Sequence, residues 1–176
     1  MAACAGEDGE DGKDGMNGMN GMDGMMGGGG VAGFVTNGAV NIDIPTSATN
    51  VPAAFILVNY TPPSNGYALV TLSGSCIIRH TAATGFDDLF VSIFEQGAGE
   101  TATTNDVFVS GSRMMLPGNA GNTGNYFFPI SAQRAFPVTM GVAKTFQAGA
   151  VWIVASSNQQ ATCSGRLVMQ HHSTQL

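Results

Sequence analysis

The chain has 176 residues and a mass of 18.0 kDa, room for one compact domain and an appendage. Only 10% of its residues are charged, six Lys+Arg against twelve Asp+Glu, and the formal charge of −6 argues against nucleic acid, whose phosphates demand clustered cations. The longest apolar stretch, Val51 to Val58, is eight residues, well short of the roughly 20 a bilayer-spanning helix needs, so no transmembrane segment is expected.

Residues 1–5 form a short leader to a repetitive tract. From Gly6 the sequence runs GED GED GKD GMN GMN GMD GMM, with glycine at Gly6, Gly9, Gly12, Gly15, Gly18, Gly21, Gly24 and Gly27, followed by Gly28 to Gly30. Glycine at every third place is the collagen pattern, because only glycine fits where three chains crowd one axis. Six acids and one base lie here, net −5, whereas residues 31–176 carry six acids and five bases. All seven prolines follow residue 44, so nothing presets the polyproline conformation and the acidic strands repel. Within the stalk and hinge of residues 6–30, a triple helix is expected over the seven triplets, with Gly27 to Gly30 as the hinge, only if a head domain first gathers three chains or neighbouring chains pack glycine-rich helices around it. The competing reading is a flexible acidic linker. Met16, Met19, Met22 and Met25 recur every three residues and would line one side of a polyproline helix as a packing stripe, or else they simply repeat with the tract.

Beyond Val31 the composition turns to Val, Thr, Ser, Ala, Phe and Asn, strand-and-turn chemistry. Alternation is read at Val40–Ile44; along a long strand from Tyr67 to His80 with Ala68, Val70, Leu72, Gly74, Cys76 and Ile78 on one face; at Leu89–Phe94; at Val107–Ser110; at Val151–Ser156; and from about Thr162 to His171. Turn clusters at Thr61–Gly66, Gly97–Glu100, Pro117–Gly124 and Ser156–Gln160 separate them. Eight to ten strands with no convincing helical stripe predict an all-β, two-sheet sandwich over residues 31–176.

Three stretches carry a family resemblance. Tyr60-Thr61-Pro62-Pro63-Ser64-Asn65-Gly66-Tyr67-Ala68-Leu69-Val70-Thr71-Leu72-Ser73-Gly74 resembles the approach to the third strand of C1q/TNF-like heads; Phe146-Gln147-Ala148-Gly149-Ala150-Val151-Trp152-Ile153 resembles their penultimate strand; Cys163-Ser164-Gly165-Arg166-Leu167-Val168-Met169 resembles their closing strand. The order agrees, and a Gly-x-y stalk commonly precedes such heads. Cys163 stands where the family usually has an aromatic, and Gly97 to Gly124 matches nothing in it. The resemblance implies a jelly-roll head and a homotrimer packed around a three-fold axis.

It also implies that the third and last strands are antiparallel neighbours, which brings Cys76 and Cys163 within reach of a disulfide; two buried thiols are the alternative. Cys4, in Ala2-Ala3-Cys4-Ala5-Gly6, resembles the end of a bacterial lipoprotein signal without the charged and apolar regions that precede one, and is read as a lipidation site, an interchain link or a free thiol.

Candidate chemistry is sparse. Asp87 and Asp88, with Glu95 and Glu100 downstream, are weak calcium candidates lacking the carboxylate spacing of a calcium loop. His171 and His172 fall on opposite strand faces and cannot share a metal, and no metal site or cofactor is expected. Ser73-Gly74-Ser75 lacks a nucleophile-elbow pattern. Asn59-Tyr60-Thr61 fits the N-glycosylation pattern, as one site in this length does by chance. Tyr126 and Phe128, turned the same way by alternation, are candidates for a trimer interface.

The function expected is that of a non-enzymatic, trimeric surface or fibre protein, extracellular or at the cell surface, whose loops meet a receptor or glycan. A phage or viral virion or filament component is the alternative within the class. A secreted carbohydrate-binding or hydrolytic domain on a flexible linker is the alternative outside it.

Overall fold

The computed structural model describes residues 31–49, 51–80, 85–101, 105–117, 123–155 and 160–173. The segment 1–5 with Cys4, and the tract 6–30 with its glycines and Met16, Met19, Met22 and Met25, lie outside the described residues.

Among the described residues, eight strands and one short helix follow in order: β1 (Val31–Ile44), β2 (Ala53–Tyr60), β3 (Gly66–His80), β4 (Asp87–Glu95), α1 (Asn105–Ser110), β5 (Ser112–Leu116), β6 (Gly124–Val138), β7 (Lys144–Val154) and β8 (Gln160–Ser173). They form two antiparallel four-stranded sheets ordered β1-β8-β3-β6 and β2-β7-β4-β5. Successive strands mostly cross between the sheets, and β3 lies beside β8. Eight strands in this order form a double-sheet jelly roll.

The long strand supplies one side of the core: Ala68, Val70, Leu72, Cys76 and Ile78 are buried, alternating with partly or fully exposed residues. Leu167 and Met169 of β8 and Phe128, Ile130 and Phe136 of β6 join them, and Leu89, Val91, Ile93, Phe146 and Trp152 face them from the second sheet. Charged and polar side chains pin this sandwich at its rim. His80 of β3 pairs with Asp87 of β4 across the two sheets. Arg134 of β6 reaches over to the Ile93 carbonyl at 2.6 Å and to Glu100 Oε1 at 2.7 Å, with its guanidinium 4.5 Å from the Phe136 ring.

Three expectations need correction. Val40 and Ile42 do not alternate inward with Ile44: a bulge between Ala39 and Ile42 places Asn41 at φ 53°, and Val40 and Ile42 are 74% and 37% exposed while Ile44 is buried. Asparagine tolerates that left-handed backbone, and Ser164 Oγ accepts the Asn41 N–H at 2.8 Å. Val107–Ser110 is not a strand but most of α1. The edge of β4 is already taken by β5, so this segment folds over the sheet, where Val107 joins Phe90, Phe94 and Val151 in a second small core and its carbonyl accepts the Ser92 hydroxyl at 3.1 Å. Phe128 is 6% exposed within the main core and so is not placed for a subunit interface, while Tyr126 is half-buried against that core. The aromatic that β6 turns outward is Phe127, 70% exposed.

Candidate functional site

Cys76 and Cys163 are register partners on β3 and β8, with Cα atoms 4.2 Å apart and their sulfurs bonded. Antiparallel neighbours alternate between wide and close pairs, and the close kind, typically about 4.5 Å, brings two Cβ atoms together on the same side of the sheet.

The carboxylates singled out for calcium are placed otherwise. Asp87 and Asp88 lie within β4, so their side chains leave opposite faces. Asp87 meets His80 inside the sandwich, and Asp88 receives the Arg113 guanidinium on the outer face, Nε to Oδ1 at 2.8 Å. That hydrogen bond, more than the accompanying charge, raises the Arg113 pKa against the opposing effect of burial. Glu95 is held by Lys144 at 2.8 Å. Burial alone would raise the Glu100 pKa, but the Arg134 hydrogen bonds, the Glu95 backbone N–H at 2.7 Å and the charges of Arg134 and Lys144 outweigh it and hold the carboxyl below its usual value. The two carboxylates of the Asp-Asp pair therefore cannot converge on one ion. Among the described residues no three such side chains gather as a metal centre.

At the other end of the sandwich, Ser64 Oγ and His171 Nε2 hydrogen-bond at 3.1 Å beside the Tyr60 ring, 5.7 Å from the imidazole. Among the described residues His171 Nδ1 has no partner, so the pair there lacks the acid that fixes the tautomer in a hydrolytic triad. Burial first, and the charge of His172 second, lower the His171 pKa. An unfolded histidine takes its proton near pH 6.5, before the folded one does. The stability His171 contributes is therefore complete above about pH 6.5 and is lost as the pH falls toward and through its depressed folded value. Urea midpoints measured at pH 7.5, 6 and 5 should fall in that order, and His171→Gln should flatten the decline; an equal decline in the variant overturns the assignment.

The two sheets differ in how their outer faces are covered. On β2-β7-β4-β5, α1 covers Phe90 and Val151. On β1-β8-β3-β6, Tyr67 opposite Pro137 and Leu69 opposite Ala135 form one apolar end, Ile77 opposite Phe127 forms the other, and Thr71, Ser73 and Ser75 lie between. Arg79 is the single charge among the outward positions of β3 and β6. Tyr67 is 50% exposed. Sequence alternation marks these outward positions, but not that, among the described residues, α1 lies over one sheet and no element lies over the other.

The geometry defines an all-β jelly-roll domain. No family model matches the chain, and no curated protein matches it. Similar solved structures include the infectious bursal disease virus VP2 subviral particle, at 15% identity and TM-score 0.42 over 79% of this chain and 32% of that one. Another is a CocE/NonD family hydrolase from Staphylococcus aureus, at 8% identity and TM-score 0.36 over 80% and 33%. A third is desmodium yellow mottle tymovirus, at 12% identity and TM-score 0.30 over 85% and 92%. The chain spans about a third of the first two. These likenesses assign neither a family nor a role. No helix among the described residues is long and apolar enough to cross a membrane.

Proposed function

We propose that this chain is a non-enzymatic structural protein whose jelly-roll head associates as a homotrimer through the outer face of β1-β8-β3-β6 and presents its loops to a partner. The observation that carries the reading is the face bearing Tyr67, Leu69, Ile77 and Phe127, which no other described element covers and whose charges are few (Asp43, Arg79 and Arg166), set against a second sheet that α1 partly covers. Exposed aromatics in a patch poor in charge are what subunit contacts bury. The three C1q/TNF-like stretches and the β3–β8 pairing support the same assembly. The Gly-x-y tract then acts as a stalk that follows the head into three-fold register. The Cys76–Cys163 bridge supports an oxidising, extracellular or cell-surface setting. A virion component is the second reading, since viral capsid subunits also use double-sheet jelly rolls.

Light scattering on the intact chain and on residues 31–176 tests the proposal. Three-fold mass is expected in both, and Tyr67→Glu with Phe127→Glu should yield monomers with an unchanged far-UV spectrum, because both side chains are exposed in the protomer. Trimers that need residues 6–30 would reverse the order of assembly, and a monomeric intact chain would end the reading. Closed shells in electron micrographs would favour the virion role.

A further inference from the structure

The cover over the β2-β7-β4-β5 sheet is incomplete. Beside it, a cleft of about 570 Å³ opens between the segment leading into β2, the end of β4 and the loop that follows. Small-molecule sites typically measure about 300–1,000 Å³. Gln147 of β7, the register partner of Phe94, lines it. Val51, Pro52 and Ala54 make one wall, and Glu95 to Thr101 make the other. Gly149 brings the apolar parts together: a Cβ there would stand 2.8 Å from Pro52 Cβ and 3.0 Å from the Phe94 ring.

Gln147 is the feature that points to a ligand. It is only 8% exposed yet lines the cleft, and its amide is not one of the buried polar atoms cut off from both partner and solvent, so water in the cleft reaches it. A ligand that displaces that water takes a donor and an acceptor contact from the amide, so a group that both donates and accepts is favoured beside it. The wall's charges are already neutralised: Glu95 pairs with Lys144, and Glu100 pairs with Arg134. A cation therefore gains little, an anion finds no cationic side chain among the lining residues, and a purely apolar ligand leaves the amide without a partner. A polyhydroxylated ring meets every condition. Its hydroxyls satisfy the amide and donate to carboxylate lone pairs, while its C–H face lies on Pro52 and Val51.

We propose that this cleft binds a neutral sugar unit of a glycan. The inference deepens the loop-presentation part of the function proposed above. On a trimer three such sites would act together, so weak individual binding still gives avidity.

The test is saturation-transfer NMR on the full chain with methyl mannoside, methyl galactoside, methyl glucoside and N-acetylglucosamine, and with N-acetylneuraminic acid as the anionic probe. At least one neutral sugar should receive saturation on its ring protons, and the anionic one none. Gln147→Leu should weaken that binding about tenfold, Ala54→Trp should abolish it by filling the cleft, and Ser73→Ala on the opposite sheet should leave it unchanged. Ala54 is exposed, so its variant reads the site even if Gln147→Leu fails to fold. Silence from all four neutral sugars, signal that survives Ala54→Trp, or equal binding of the anionic sugar overturns the proposal. Molar mass measured on the same samples separates this outcome from the fate of the trimer.

Discussion

Reduction of the Cys76–Cys163 bridge, or its replacement by a Cys76→Ala/Cys163→Ala pair, should lower the stability of the head by about 4 kcal/mol, the chain-entropy value for a long closed loop. The two cysteines are 87 residues apart in sequence. The loop between them contains all of β4, β5, β6 and β7, so the bridge restricts the unfolded ensemble over most of the domain. Both sulfurs lie at 0% exposure, and the alanine pair also leaves a small void between the sheets. A loss of this size corresponds to a fall in Tm on the order of 10 °C. Guanidinium midpoints with and without a phosphine reductant measure it. Coincident midpoints would mean that the bridge does not form in solution, and would remove the support for an oxidising setting.

Gly74→Val in the middle of β3 should be strongly destabilising, at about 3 kcal/mol or more. Gly74 stands opposite Gly165 of β8, two positions from the disulfide on the same strand parity. A Cβ at 74 would lie 2.6 Å from Gly165 Cα and closer still to the Ser164 carbonyl. Both obstacles are backbone, so no side chain can turn aside and the strands must part. Gly165→Ala should cost less, because its Cβ would meet the Ser73 carbonyl at 2.9 Å but has 3.5 Å to Leu72 Cδ1. The exposed neighbour change Ser73→Ala should stay within about 0.5 kcal/mol. Urea unfolding of the three variants orders them; a Gly74→Val protein as stable as Ser73→Ala would show that the two strands do not approach so closely.

Much of the fold was legible because strand alternation is a local, period-two signal. The face Ala68, Val70, Leu72, Cys76 and Ile78 could be read directly, and so could the turn that precedes it. The glycine at 74 was read as one more member of that face, although its reason is the close backbone of β8, which no local pattern reveals. Leu89 to Phe94 looked like an ordinary two-faced strand. In the structure both faces are buried, since α1 lies over Phe90 and Phe94. The helix itself was invisible: six residues whose Val and Ser alternation matched a strand, and which coil only because β5 occupies the neighbouring sheet edge. The candidate site fared similarly. The acids were visible as a list, but their partners His80, Arg113, Arg134 and Lys144 come from other strands. Gln147 gave no signal, for a glutamine in a strand is ordinary until its surroundings are known.

By itself the sequence determined the all-β class, the positions of the third, fourth, seventh and eighth strands and the inward face of the long central strand, because side-chain alternation and turn chemistry act between near neighbours. Only the tertiary structure decided which sheet is covered, which aromatic of β6 faces outward, how the charged side chains pair and where a cleft remains. Those outcomes depend on groups brought together from distant points of the chain, and a period of two carries no record of what packs against each face.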